Sequence, residues 1–567
     1  MIKIRIAGPP GTGKTTRLVR IFYESLDKYS PADMLLMSHT KTAAKIIREK
    51  ILDPETILQY QKDTGKEIYY KVQNAKKTLE YNVSTIHSYC NAIAKQVTKG
   101  IEFDLDDYEI MAQMYPLFSK HTRSKKFKDI ESLFKLHPFF KFNSFARNNG
   151  MSPIEYYSTL GFEEKDDYKY YPAELQELEK NYQEFKTNIK VNERAENLLD
   201  FDDMIEYFYK IKEAKPKYAH IKVLIVDEAQ DSSVIQREAE KALSSGVDYF
   251  YKAGDPDQSI FEFSGADPDA FHKEFADPEI ELEQGYRCPL IVNDYCKKII
   301  KDVWEHYEYS RVWAPLKDKE TEEIIEGEKY MLRDLEQDEN AGELKRRILE
   351  TQEDFVFTYR GNDPILTMKY LMKLGIPFQM PYNDLQKLKR KKIFEDPSRQ
   401  VKNQRFFLDL ANGESVALKE IKQVLKSVNP YYLGSNYSPE AADSIPRGSY
   451  TLDYLVDEGF LQSGVRDIND FQLISNTRNI FMKNYIKDIV DNGRDLDKKR
   501  IFVENIHTIK GKEFDNVVLD LTLTRTEDLF SKKRMKYVAC SRAKKTLWLV
   551  KSKTELTLEG EEDKDDK

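Results

Sequence analysis

Near the start of the chain, Gly8-Pro9-Pro10-Gly11-Thr12-Gly13-Lys14-Thr15-Thr16 follows directly on the alternating run Ile2-Lys3-Ile4-Arg5-Ile6. The spacing G-x-x-x-x-G-K-[ST], set between a strand and a helix, is that of a phosphate-cradling loop. Its glycines let backbone N–H groups close on a polyphosphate at the positive end of the next helix. Lys14 would reach the outer phosphates, and the Thr15 hydroxyl would ligate Mg²⁺. A second element, Asp227-Glu228-Ala229-Gln230, follows the apolar run Val223-Leu224-Ile225-Val226. There the first acid can hold Mg²⁺ and the second can orient and deprotonate an attacking water. The two elements together predict hydrolysis of a nucleoside triphosphate.

Such groups must be held at the carboxyl ends of parallel strands, where open α/β sheets collect ligands. Short apolar runs that read as buried parallel strands recur along the chain. Met34–Met37 leads into Ser38-His39-Thr40-Lys41, Tyr249–Tyr251 into Gly254-Asp255, and Phe355–Phe357 into Thr358-Tyr359-Arg360. Val517–Leu519 and Leu547–Val550 follow near the end. Residues from about 100 to 195 and from about 384 to 500 look mostly helical, with Ala173–Phe185 and Asn192–Leu199 as examples and turn signals at Asn429-Pro430 and Pro439. The predicted fold is therefore α/β: two cores with parallel sheets, each carrying a helical insertion. The boundaries read as 1–99 and 196–280 for the first core, with 100–195 inserted. The second core takes 281–383 and 501–556, with 384–500 inserted and 557–567 as an acidic tail.

Composition narrows the classes. A hydrophobic fraction of 40% over 567 residues allows packed cores, and no run approaches the ~20 apolar residues of a membrane span. The strand and phosphate loop begin at once, so no signal peptide is expected, and a cytoplasmic setting is. Cys90, Cys288, Cys296 and Cys540 show no C-x-x-C spacing, which speaks against a zinc site or a disulfide framework. The net charge of −8 disfavours bulk attraction to nucleic acid but leaves room for a locally basic groove.

Between these elements stands Ala253-Gly254-Asp255-Pro256-Asp257-Gln258-Ser259-Ile260-Phe261-Glu262-Phe263. Phosphate loop, Asp-Glu-Ala-Gln-Asp and Gly-Asp-Pro-Asp-Gln-Ser-Ile-Phe, in this order, resemble the UvrD/PcrA/Rep helicases of superfamily 1. Further stretches resemble that family's motifs: Ser38–Ala44, Ser84-Thr85-Ile86-His87-Ser88, Leu199-Asp200-Phe201-Asp202-Asp203-Met204, Glu283-Gln284-Gly285-Tyr286-Arg287, Gly375–Phe378, His507–Phe514 and Tyr537–Ala543. The resemblance implies two RecA-like cores, with ATP and Mg²⁺ as cofactors and single-stranded DNA and its junctions with duplex as partners. It also implies a monomeric motor moving 3′ to 5′ and unwinding duplex. It assigns nucleotide contacts to Gly8 through Thr16, Tyr286 (adenine stacking), Gly511 and Glu513 (ribose), with Arg287 and Arg542 at the γ-phosphate. Lys14, Asp227, Glu228, Gln258, Arg287 and Arg542 become the catalytic set, with Gln258 coupling nucleotide to strand and Thr15 and Asp227 holding the metal. Thr40, Thr85, His87 and His507 would contact the DNA, and Phe261 and Phe263, two apart on an extended segment, would stack on bases. The basic run Lys387–Lys392 could meet duplex phosphates or be a solvated helix face.

The chain departs from the family pattern in places. No adenine-reading glutamine segment precedes Gly8, Glu262 and Ser264 stand where basic residues are usual, Gly285 replaces an asparagine, and the second insertion is short. A translocase that strips proteins from DNA without unwinding is the alternative within this class. A P-loop kinase is an alternative outside it, against which the chain length and the two arginine motifs argue. A binding module with a decayed ATPase is opposed by the intact Lys14, Asp227, Glu228, Gln258 and Arg542. A nuclease domain is not expected between Arg542 and the end at Lys567.

Overall fold

A computed structural model describes residues 1–98, 101–102, 118, 138–161, 172–191, 194–196, 198–273, 279–336, 338–359, 364–381, 398–446, 448–475, 480–494, 500–521 and 529–550. The chain divides into two compact units, Met1–Ile325 with Asp528–Ser541, and Glu326–Glu527 with Arg542–Lys567.

The first unit is built on a six-stranded sheet: β1 (Ile2–Ala7), β2 (Met34–Ser38), β3 (Val83–Thr85), β4 (Val223–Val226), β5 (Tyr249–Gly254) and β6 (Glu279–Glu281). The order is β6-β1-β5-β4-β2-β3, and every pairing is parallel. Central strands read as unbroken apolar runs because helices cover both faces; all four residues of β4 are buried. One face packs Leu18, Phe22, Ile47, Val223 and Ile225, the other Leu35, Met37, Phe208, Leu224 and Ile235. Seven helices of this unit matter for the site: α1 (Lys14–Ser25), α2 (Lys41–Leu52), α3 (Pro138–Asn148), α4 (Pro172–Asn188), α5 (Phe201–Lys210), α6 (Leu290–His306) and α7 (Leu529–Cys540).

The second unit carries a five-stranded parallel sheet of β7 (Glu328–Leu332), β8 (Phe355–Tyr359), β9 (Ile501–Asn505), β10 (Phe514–Asp520) and β11 (Ala543–Val550), in the order β7-β11-β10-β8-β9. Its insertion has a core of its own, with Phe407, Ile421, Leu455 and Phe471 among its buried residues. The helix Ile480–Asp491 instead packs Tyr485, Ile486 and Ile489 into the core beneath the sheet. Fold class and the strand positions agree with the sequence reading.

Three local expectations differ. Of the expected helix Asn192–Leu199, the described residues are strand instead: Arg194–Glu196 pairs antiparallel with Ile189–Val191, and Leu198–Leu199 pairs parallel with Ile101–Glu102. The β-branched Ile189 and Val191 carry a strand preference that the Lys- and Glu-rich surroundings obscure. Phe261 and Phe263 do not lie on an extended segment, because Glu262–Ser264 is a 3₁₀ turn. Residues 281–325 fall in the first unit: Leu282 N–H bonds the Ala7 carbonyl at 2.9 Å, and Tyr286 N–H bonds the Gly11 carbonyl at 2.8 Å.

Candidate nucleotide site and strand-facing loops

The phosphate loop joins β1 to α1 at the carboxyl edge of the sheet. Thr12 Oγ1 donates to the Pro9 carbonyl at 2.8 Å, and buried Pro10 completes the turn. Lys14 Nζ lies inside the loop, donating to the carbonyls of Gly8 (2.6 Å) and Pro9 (3.2 Å). Burial pushes the Lys14 ammonium below its ordinary value, opposed by Asp255, Glu228 and Asp227. Thr15 Oγ1 stands 3.3 Å from Asp227 Oδ2, while exposed Thr16 accepts from Lys50 Nζ at 2.7 Å.

Gly11 is required twice over. Its φ is +72°, and a Cβ there would come within 2.6 Å of the Arg287 Cβ. That close approach lets Tyr286 and Arg287 lie on the loop, and Tyr286, 68% exposed, offers a free-standing aromatic face beside it. Gly285 has a similar explanation. A Cβ would sit 2.5 Å from the Ala314 carbonyl, the acceptor of its own N–H at 3.0 Å, so the family's asparagine would not fit this packing.

Asp227 and Glu228 follow directly on β4. Burial, then the neighbouring Glu228, pushes the Asp227 carboxyl up to about 7, against the pull of Lys14. One buried acid and one half-buried acid facing one ammonium form a site that gains from a cation. Among the described residues no cluster of three or more His, Cys, Asp or Glu side chains could hold a metal alone. Thr15 Oγ1 and Asp227 Oδ2 are oxygen donors of the kind that Mg²⁺ takes alongside phosphate and water.

Glu228 adopts φ +55°, left-handed backbone that is uncommon for a non-glycine residue. Gln230 holds it there. This fully buried amide donates to Glu228 Oε2 at 2.7 Å and accepts from the Asp255 N–H at 3.0 Å. Asp255 in turn accepts from Gln258 Nε2 at 2.8 Å and from Arg311 Nη1 at 2.7 Å. Asp257 accepts from Trp304 Nε1 at 2.8 Å and from the Tyr309 hydroxyl. Burial, and then Asp255, raises the Asp257 carboxyl. Burial disfavours the Arg311 charge, but Asp255 and Asp257 outweigh it and raise the guanidinium further. Gln230 and Arg311 were not singled out from sequence, since long-range pairing carries no local periodicity.

The strand-facing candidates divide. Exposed Thr40 caps α2, accepting from the Ala43 N–H at 3.1 Å. Thr85 is buried, bonded to the Ser88 hydroxyl at 2.8 Å and accepting the Ser88 N–H at 3.1 Å. Burial, and to a lesser degree His39, holds the His87 ring down to about 3, so it is neutral at physiological pH. It stacks on Phe201 with centroids 3.6 Å apart and planes 17° apart. Phe201, 59% exposed, is presented by a buried charge cluster. Arg147 of α3 reaches Asp200 (2.9 Å), Asp203 (2.7 Å) and Glu206 (2.9 Å), and Lys186 of α4 reaches Asp200 (2.8 Å) and Asp203 (2.7 Å). Asp200 also caps α5. Burial would raise Asp200, but Lys186 and Arg147 overcome it and hold it well below the usual carboxylate range. The acids of the Asp-Phe-Asp-Asp element thus clamp the insertion to α5, and its phenylalanine faces solvent. Phe261 is partly buried. The side chain of Phe263, and the run Lys387–Lys392, lie outside the described residues.

Gly511, Glu513, His507 and Arg542 belong to the second unit. Gly511 and Glu513 are exposed, His507 is partly buried on the turn Ile506–Ile509, and Arg542 is buried, its carbonyl accepting the Phe514 N–H at 2.9 Å.

A glycine-rich loop with an internal lysine, beside a hydrogen-bonded threonine–aspartate pair and a glutamate, is the arrangement of a P-loop nucleoside triphosphatase in the first unit. The chain matches the UvrD/REP helicase N-terminal domain over residues 3–278 and the UvrD-like helicase C-terminal domain over residues 500–550. It is 22% identical to the ATP-dependent DNA helicase Rep of Buchnera aphidicola subsp. Schizaphis graminum, over 96% of this chain and 90% of that protein. It is 23% identical to DNA helicase II of Rickettsia typhi (90% and 87%) and to the ATP-dependent DNA helicase srs2 of Schizosaccharomyces pombe (68% and 52%). The chain belongs to the UvrD/Rep-type superfamily 1 helicase family.

Proposed function

We propose that this protein is an ATP-dependent DNA helicase that moves 3′ to 5′ along single-stranded DNA and separates duplex at its junctions. One observation supports this above the rest: Gln230 joins the hydrolytic Glu228 to Asp255, and Asp255 holds Gln258, three residues before Phe261. On this reading, water activation by Glu228 and base contact at Phe261 would share one hydrogen-bonded frame.

The nucleotide would lie on Gly8 through Thr16, its base on Tyr286 and its outer phosphates near Lys14 and Arg287. ATP supplies the transferable phosphoryl group, and Mg²⁺ at Thr15 and Asp227 would neutralise charge developing on it. Glu228 would take the proton of the attacking water. Gly511, Glu513 and Arg542 would complete the nucleotide contacts. Thr40, Thr85, His87 and His507 would track the strand, with Phe261 and Phe263 as stacking platforms. Phe201, on its neutral His87 partner, adds a further aromatic face.

Strand displacement on tailed duplexes of both polarities, run beside displacement of streptavidin from biotinylated oligonucleotides, tests the reading. Unwinding of 3′-tailed duplex alone is expected. Unwinding from 5′ tails would refute the polarity, and stripping without unwinding would favour a translocase.

A further inference from the structure

Glu262 stands between the two stacking phenylalanines, where a negative charge is unhelpful to a strand of phosphates. The structure shows what it does instead. Its carboxylate accepts from Arg534 Nη1 and, at 2.5 Å, from the Ser531 hydroxyl, both on α7. Arg534 is buried, with its guanidinium 5.8 Å from the Tyr307 ring centroid, and among the described residues its Nε has no hydrogen-bond partner. Among the described residues, Glu262 is the carboxylate that forms its ion pair. Next to it, Lys533 pairs with Asp302 of α6.

The other end of α7 reaches Arg287 and Cys288, which follow Tyr286 beside the phosphate loop. Ser541 N–H bonds the Tyr537 carbonyl at 3.0 Å, which continues the helical run to Ser541. The Ser541 carbonyl then accepts from Arg287 Nη1 at 3.4 Å and Cys288 Sγ at 3.5 Å. Arg287 is the residue packed against Gly11. A helix of this length is a strut of roughly 18 Å, tied at one end to Glu262 and at the other to Arg287, which packs on Gly11 of the nucleotide loop, all within the first unit.

Resting on the motor reading above, we propose that Glu262 is a positioning residue: its ion pair with Arg534 makes α7 a strut through which strand engagement at Phe261 is felt at Arg287 and the phosphate loop. A buried guanidinium stripped of its carboxylate cannot keep its place without cost, so the strut loses its anchor when Glu262 is neutralised. Contiguity alone does not establish coupling; a difference between two rates does.

The experiment compares ATP hydrolysis by the full chain with and without saturating oligo(dT), for the wild type, Glu262→Ala and Glu262→Gln, alongside fluorescence anisotropy with labelled oligo(dT). The DNA-free rate should be unchanged in both variants and oligo(dT) affinity little altered. The DNA-saturated rate should fall by about tenfold, within the usual range of coupling between two sites. The charge swap Glu262→Arg with Arg534→Glu should recover part of it. Full stimulation in Glu262→Ala would overturn the proposal, as would equal losses in both rates, which mark a purely structural contact. Tighter oligo(dT) binding with stimulation intact would also overturn it, making Glu262 a simple repeller. An unstimulated wild type would instead sink the motor reading on which the proposal rests.

Discussion

Gln230→Ala is the most informative single change in the site. The amide makes two buried hydrogen bonds with separable consequences: it donates to Glu228 Oε2 at 2.7 Å and accepts from the Asp255 N–H at 3.0 Å. Losing the second leaves a buried N–H unsatisfied, a cost of about 1–3 kcal/mol in stability. Losing the first frees a carboxylate held in left-handed backbone at φ +55°, and a hydrogen bond to a charged group is worth about 1.5–3 kcal/mol. If that energy orients Glu228 toward water, kcat should fall roughly ten- to 150-fold at about 1.4 kcal/mol per factor of ten. KM for ATP should hardly move, because the phosphate contacts belong to Lys14 and its loop. Gln230→Glu should keep the Asp255 bond while placing a second negative charge against Glu228. Its kcat should therefore be lower still at high pH and recover in part as pH falls. The assay is steady-state ATP hydrolysis at saturating oligonucleotide, with thermal melts of each variant. A Gln230→Ala protein that melts earlier but turns over within a factor of about two of the wild type would refute the reasoning and reduce Gln230 to a structural bridge.

Three other outcomes follow. Lys14→Ala should lower hydrolysis by roughly a hundredfold or more while leaving oligonucleotide binding measured by anisotropy largely intact. Arg311→Met strands two buried carboxylates, Asp255 and Asp257, and should cost about 3–5 kcal/mol in a denaturant melt. That deficit should shrink at acid pH, where protonation relieves the unpaired charge. Burial, then Asp200, raises Asp202 to about 7. The folded state therefore binds its proton more tightly than the unfolded chain, and stability is lost as pH climbs from the ordinary carboxylate value toward 7. Asp202→Asn should match the wild type near pH 4 and melt higher at pH 8.

What the sequence made legible was what is local. Val223–Val226 is apolar on both faces and could only be an interior strand, and the Gly8–Thr16 spacing admits one turn chemistry. The departures at Gly285 and Glu262 were visible as oddities, but their causes, the Ala314 carbonyl and the Arg534 guanidinium, lie 29 and 272 residues away in the chain. The charge clamp of Arg147 and Lys186 on Asp200 and Asp203 was hidden for the same reason. Residues 194–196 and 198–199 carry no strand signal of their own; their partners, Ile189–Val191 and Ile101–Glu102, supply the pairing. Strand geometry fails for Phe261 and Phe263 because the Ser264 and Gly265 N–H groups close a local 3₁₀ turn on the Phe261 and Glu262 carbonyls, ended by Gly265 in left-handed backbone.

The central claim is that a strand lying on the first unit is felt by the triphosphatase built into it. Steady-state ATP hydrolysis by the purified chain, with and without a single-stranded oligonucleotide, tests that most directly. A rise of tenfold or more on adding the strand, on the order seen for coupled sites, is the predicted result; an equal rate in both cases would contradict it.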